Sequence, residues 1–269
     1  MKKHLPIILA HGVYPFHRLF PIIFHRDGHA DDHRHYFKGI RTHLTAKGYS
    51  VFHSRVSWGG SLDKRADDLK RELERITGHF TLWPKVHIIA HSMGGLDARW
   101  MMFRHDMAHR ISSLTTIGTP HYGSSHANRA ITRWSRPLAF LNSLGIDLTG
   151  VYAIATDKAK ELNSILEPYE REAKVVFRTI AGVQSRQDLF FPMRRYHDLL
   201  LKLEGENDGL VSLASAMWKE EYLWKRIDAD HLNQIGWWGG PKAMGTRDKA
   251  LFRKRILDLY LEIAQTLPE

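Results

Sequence analysis

A short, mostly apolar run, Val86-His87-Ile88-Ile89-Ala90, leads straight into His91-Ser92-Met93-Gly94-Gly95, and a helical stretch follows. This junction constrains the chain more than any other feature. A strand that passes directly into a helix must reverse sharply, and the corner residue takes a strained backbone conformation. Residues two positions to either side must be small, and Ala90 and Gly94 satisfy that small-x-Ser-x-Gly pattern. Such a turn lifts the Ser92 hydroxyl clear of the sheet and aims the N-terminus of the next helix at a reacting group above it. The bland alternative is a plain Ser–Gly turn in an α/β domain.

The surrounding rhythm fits a strand-turn-helix unit. Residues 5–9, 49–56, 86–90, 111–117, 175–181 and 222–227 read as strands. Residues 36–46, 61–77, 94–104 and 247–267 read as helices. Within 61–77, Leu62, Ala66, Leu69, Leu73 and Ile76 recur at the spacing of one helix face, with Ser61 placed to cap the start and Gly78 to stop it. Strands alternating with helices imply βαβ units, so we expect an α/β fold with a mostly parallel central sheet flanked by helices. Residues 121–172 break the rhythm and read as a short inserted cap within a single domain spanning 1–269.

Composition removes several classes. The 269 residues include no cysteine, which excludes disulfides, zinc–thiolate and iron–sulfur sites and a cysteine nucleophile. The net charge is +10, and it is regional: +6 over residues 1–60 and +3 over 121–160, against −1 over 161–269. No nucleic-acid motif accompanies it, so a nucleic-acid partner is not expected. The excess reads instead as a basic rim that attracts an anionic lipid surface, with general solubility as the alternative. The apolar run after Lys2 and Lys3 is too short for a secretory leader, and no stretch approaches the length of a membrane span. A cytoplasmic location follows as an expectation, with signal-independent export as the alternative.

A serine nucleophile needs a base to take its proton and a carboxylate to hold that base. Asp208 lies in the Gly-containing turn Glu206-Asn207-Asp208-Gly209, and His231 follows the last expected strand. The order Ser92, Asp208, His231 is that of α/β-hydrolases. Asp188, Asp228 and Asp230 compete for the acid role, and Asp208 is preferred for its turn. Gly12, after the first strand, allows a tight turn, so the backbone N–H groups of Val13 and Met93 are expected to form the oxyanion hole.

Five segments together resemble the bacterial triacylglycerol lipases of the α/β-hydrolase fold, the Pseudomonas, Burkholderia and Proteus type. They are residues 6–12, Ala90-His91-Ser92-Met93-Gly94-Gly95, residues 116–124 beginning Thr-Ile-Gly-Thr-Pro, Asn207-Asp208-Gly209-Leu210-Val211 and Asp230-His231-Leu232-Asn233-Gln234. The resemblance implies Ser92 as nucleophile, Asp208 as acid, His231 as base and oxyanion donors at Val13 and Met93. It also implies that Arg65 supports the oxyanion loop, where the alternative is a solvated helix charge. The implied activity is ester hydrolysis on lipid substrates, with an acyltransferase or phospholipase on the same machinery as the alternative and a non-catalytic binder of an anionic surface less favoured.

The family's calcium site is not expected here. Asn233 stands two residues after the histidine, where the family carries an aspartate, and Asp188 lacks the family's local pattern. No metal or cofactor is therefore expected. The tract His25, Asp27, His29, Asp31, Asp32, His33, His35 reads as a polar loop rather than a metal site. His11, Trp134, Leu138, Leu141 and Trp237 are the expected substrate contacts. Packing within the cap or the core is the alternative for these rings and aliphatic chains.

Overall fold

Six runs of aliphatic and β-branched residues form one sheet. They are β1 (Ile7–Ala10), β2 (Val51–His53), β3 (Val86–His91), β4 (Ile111–Ile117), β5 (Val176–Val183) and β6 (Leu223–Asp228). In the computed structural model, which describes residues 4–13, 32–129, 131–132, 149–237 and 246–269, their order is β2-β1-β3-β4-β5-β6, and every pairing is parallel. The chain runs outward from β1 to β2, then returns to place β3 on the other side of β1. That reversal opens a crevice beyond the C-terminal ends of β1 and β3. Gly12 and Ser92 lie there.

Both faces of the sheet are covered, as a parallel sheet requires. Side chains alternate along each strand. Ile8, Ala10, Ile88, Ala90 and Leu114 pack with α2 (Leu62–Thr77) and α3 (Gly94–Arg104). Ile7, Leu9, Ile89, Ile117 and Ile180 pack on the opposite face. Their partners there include Ile40 and Leu44 of α1 (Ile40–Thr45) and Ile256, Leu259 and Ile263 of the C-terminal helix (Thr246–Gln265). The helix α2 begins where expected: the Ser61 hydroxyl accepts from the Lys64 N–H, and Gly78 ends it in the left-handed region at φ 58°.

Two expected elements are shorter than their patterns suggested. Helix α1 covers Ile40–Thr45 rather than residues 36–46. Gly39 precedes it at φ 72°, and the Asp32 carboxylate accepts from the N–H groups of Arg41 and Thr42. Strand β2 pairs only with β1 and spans Val51–His53 rather than residues 49–56.

The expected insertion is also narrower. Thr156–Glu172 forms a long helix, α4, whose Leu162 and Leu166 pack on Leu96 of α3. It carries the chain from β4 to β5, so it is part of the layer flanking the sheet and not of a cap over 121–172. A fully buried ion pair fixes it: Arg99 of α3 donates through Nε and Nη2 to the two Glu170 oxygens, at 2.6 and 3.0 Å.

We expect Leu73→Ala, which empties a fully buried site of α2, to lower stability by about 2–5 kcal/mol. Urea unfolding checks this through a lower midpoint at unchanged slope.

Candidate active site

Ser92 sits at the corner between β3 and α3 with φ 56°, a left-handed conformation that non-glycine residues rarely adopt. Its N–H donates to Ile117 O at 3.0 Å, and its carbonyl accepts from Thr119 Oγ1 at 2.7 Å. The small neighbours are sterically required. A Cβ at Gly94 would lie 2.5 Å from the Ala10 carbonyl oxygen, and one at Gly12 would lie 2.7 Å from Ser92 Cβ. Thus β1 and the head of α3 approach as closely as backbones can, with Ser92 between them.

The structure brings Ser92, His231 and Asp208 together. Ser92 Oγ lies 2.9 Å from His231 Nε2, and His231 Nδ1 lies 2.8 Å from Asp208 Oδ2. A carboxylate only accepts, so Nδ1 carries the ring proton and Nε2 accepts from the serine. Asp208 is fully buried, and its charge is met on every side. Oδ1 accepts from the N–H groups of Leu210 and Val211 at 3.0 and 2.8 Å, and Oδ2 also accepts from Gln234 Nε2 at 2.8 Å. The turn expected around Asp208 supplies those two backbone donors. His231 is held by its own N–H, which donates to Asp208 O at 3.0 Å.

Met93 follows Ser92 at the start of α3, and Gly12, the residue before Val13, lies against Ser92. Arg65 does more than decorate a helix. It is fully buried, donates to the carbonyl of His11 at 2.8 Å and to that of Ser57, and pairs through Nε and Nη2 with Asp97 of α3. One guanidinium therefore ties the loop after β1, the loop after β2 and the helix after Ser92.

Other expected contacts fall elsewhere. The His11 ring is buried and stacked on Trp58, with centroids 4.3 Å apart, so it shapes the loop from inside and is corrected from a substrate contact to a packing group. Trp237 is likewise a packing residue: its Nε1 donates to Tyr36 O at 3.0 Å, and Lys38 lies over its ring. Trp134, Leu138 and Leu141 lie outside the described residues. Asp188 accepts from the Ser185 hydroxyl, and Asp228 ends β6 exposed to solvent.

Asp230 has a structural task that the sequence did not reveal. Buried beside His231, it accepts from the N–H groups of Phe190, Leu232 and Asn233. Asn233 in turn accepts from the Asp230 N–H and donates to Trp237 O. The loop a calcium ion would brace is thus closed by hydrogen bonds. The Asp230 oxygens face donors, which does not suit a hard cation. In the histidine-rich tract, Asp32 accepts from Thr42 and His53, and His35 stacks on His53. Among the described residues no group of three or more metal-ligating side chains converges.

Comparison with known proteins agrees with this geometry. Residues 53–134 match the model of the PGAP1-like alpha/beta domain. Triacylglycerol lipase 2 of Saccharomyces cerevisiae is 28% identical, covering 86% of this chain and 80% of its own length. A triacylglycerol lipase of Pseudomonas fragi is 30% identical over 48% of this chain, but only 39% of that protein is covered. The lipase of Staphylococcus hyicus superposes over 99% of this chain and 96% of its own with a TM-score of 0.70 at 17% identity. The chain has the α/β-hydrolase fold of the lipases and is similar in sequence to triacylglycerol lipases. Within this fold the six described strands form the parallel body of the sheet, and Gly12 and Ser92 lie beyond the C-terminal ends of its first and third strands.

The site's surroundings are rich in histidines held neutral. Burial, then Arg65, lowers His11 to about 3. Burial, with lesser help from Arg178 and Arg195 respectively, lowers His87 and His126 to about 4. In the unfolded chain each regains its ordinary value of 6.5 and binds a proton that the folded state refuses. The unfolded state therefore holds more protons below about pH 6.5, and stability falls as pH falls. Asp230, pushed up to about 6 by burial, and Asp97, also raised by burial, oppose this, but the lowered histidines, His91 and His121 among them, outnumber the two carboxyls. We expect the urea midpoint to drop steadily from neutral pH to pH 4.5. A midpoint that rises over that span contradicts the assignment.

Proposed function

We propose that the chain is a serine-dependent carboxylic-ester hydrolase, a lipase acting on acyl esters through Ser92, His231 and Asp208. The observation that carries this is the unbroken hydrogen-bond line from Ser92 Oγ through His231 to a fully buried carboxylate, mounted on a strained strand-to-helix turn. A serine hydroxyl is a poor nucleophile without such a base. As Oγ attacks the ester carbonyl carbon, His231 Nε2 takes its proton. Asp208 balances the imidazolium charge without itself being protonated. The carbonyl oxygen becomes an oxyanion between the Val13 and Met93 N–H groups, and the start of α3 adds its positive dipole end. His231 then returns the proton to the departing alkoxide, leaving an acyl group on Ser92. Water attacks that ester by the same route in reverse and releases the carboxylic acid.

An alcohol captures the same acyl-enzyme as readily in principle, so product analysis with water and competing alcohols decides between hydrolysis and transfer. The basic excess over residues 1–60 supports transient attraction of the enzyme to an anionic lipid surface.

Four outcomes are expected. Ser92→Ala abolishes labelling by a fluorophosphonate probe, and persistent labelling sinks the assignment. Asp208→Asn lowers kcat on the order of 10⁴-fold, because the ring loses its acceptor and its tautomer. With p-nitrophenyl esters, activity extends from short to long acyl chains, and activity confined to the shortest makes the protein an esterase. At low salt, hydrolysis on negatively charged vesicles exceeds that on neutral ones and the difference disappears as salt is raised.

A further inference from the structure

Behind the triad lies a second line of buried polar groups that the acyl-transfer steps do not use. Tyr36, His91 and Gln234 are all buried. The Tyr36 hydroxyl lies 2.6 Å from His91 Nδ1. The His91 ring packs against the His231 ring, with centroids 4.5 Å apart. Two buried atoms, His91 Nε2 and Gln234 Oε1, make no hydrogen bond of ordinary geometry with any described group. Burial, then the His231 ring, holds His91 well below its ordinary value, and the His231 backbone and after it the Gln234 amide oppose this. At its other end, Gln234 Nε2 donates at 2.8 Å to Asp208 Oδ2, the oxygen that also faces His231 Nδ1.

The chemistry fixes the direction of this line. A carboxylate demands a donor, so the Gln234 NH₂ faces Asp208 and its oxygen faces His91. His91 then carries its proton on Nε2, and Nδ1 accepts from the Tyr36 hydroxyl. Space is reserved for the amide. A Cβ at Gly118 would lie 2.3 Å from Gln234 Oε1, and one at Gly182 would lie 2.1 Å from Gln234 Nε2. The backbone of Gln234 is pinned as well: its N–H donates to Asp230 O, and its carbonyl accepts from the buried Tyr260 hydroxyl at 3.0 Å. An apolar side chain would fill the same space with no buried polar atom to satisfy. A buried amide here has one strong partner, and that partner is the triad carboxylate.

We infer that Gln234, itself oriented by His91 and Tyr36, is a positioning residue for Asp208, fixing the carboxylate so that Oδ2 points at the His231 ring. This rests on the serine-hydrolase reading above. The two N–H donors at Oδ1 hold one edge of the carboxylate, and the amide holds the other. Without the amide, Oδ2 is free to rotate away from His231, and the base loses its orientation in the transition state.

The test is kinetic and spectroscopic, on the full chain. Gln234→Met lowers kcat for p-nitrophenyl butyrate by about tenfold or more, the worth of a hydrogen bond to a charged group, with KM unchanged. It also moves the low-field proton resonance of the His231–Asp208 hydrogen bond. His91→Phe lowers kcat too, and the double variant loses less than the product of the single losses, since both act along one line. Wild-type kcat and an unmoved resonance in Gln234→Met, or losses that simply multiply, overturn the inference. If Gln234→Met does not fold, Gln234→Glu keeps the shape and removes the donor: a tenfold or greater loss supports the role, and wild-type kcat overturns it. Fluorophosphonate labelling separates the two levels. An unlabelled wild-type enzyme sinks both readings, whereas full-rate labelling of wild type and Gln234→Met alike sinks only this one.

Discussion

The left-handed turn at Ser92 is the constraint that the rest of the molecule serves. Holding a non-glycine residue at φ 56° costs on the order of 1–3 kcal/mol, and such strain persists only where its surroundings over-determine it. Here two neighbouring strands do so. Strand β4 supplies the acceptor for the Ser92 N–H through Ile117 O, and the loop beyond it supplies the donor for the Ser92 carbonyl through Thr119. Strand β1 lies so close that only glycine fits at positions 12 and 94. The register of β1 with β3, Ala10 opposite Ala90, is therefore a condition for the serine to be presented at all.

The helix that follows Ser92 is held by two buried ion pairs from residues two apart in sequence. Asp97 reaches Arg65 of α2, and Arg99 reaches Glu170 of α4. A buried pair adds little net stability, but removing one partner leaves a stranded charge that costs about 3–5 kcal/mol. These pairs therefore act as locks more than as sources of stability. They fix α3 laterally between its neighbours, while the strain at Ser92 fixes it end-on. The Arg65 lock also reaches the His11 carbonyl, so the loop after β1 is coupled in position to the helix that follows Ser92.

Much of this was legible in the sequence. Strand β4 and helix α3 fall on their expected bounds because their apolar patterns are long and end at clear stops. Ser92 and Asp208 announced themselves through their turns, and His231 through its place after the last expected strand. What the sequence hid depended on contacts between distant segments. His11 and Trp237 read as pocket residues because they lie close to the site's motifs, yet His11 stacks on Trp58 in the interior and the half-buried Trp237 is held by the Tyr36 carbonyl. Gln234 gave no signal of its own, since nothing local tells a buried amide from a loop residue. Its meaning comes from Asp208, and from two glycines more than fifty residues away from it along the chain. Helix α4 was assigned to a cap because residues 121–155 interrupt the rhythm before it.

That interruption has fixed ends. The Ser124 N–H donates to Ile154 O at 3.0 Å, and the Asn128 side chain exchanges two hydrogen bonds with Thr156. Between these feet Gly150 also lies against the body: its N–H donates to Gly59 O at 3.0 Å, and a Cβ there would lie 3.2 Å from Met93 Cε. The entropy of closing such a loop grows only with the logarithm of its length. A change of length between residues 132 and 149 therefore costs little in closure, whereas the return at Gly150 is tied to Met93 and so to the turn that presents Ser92.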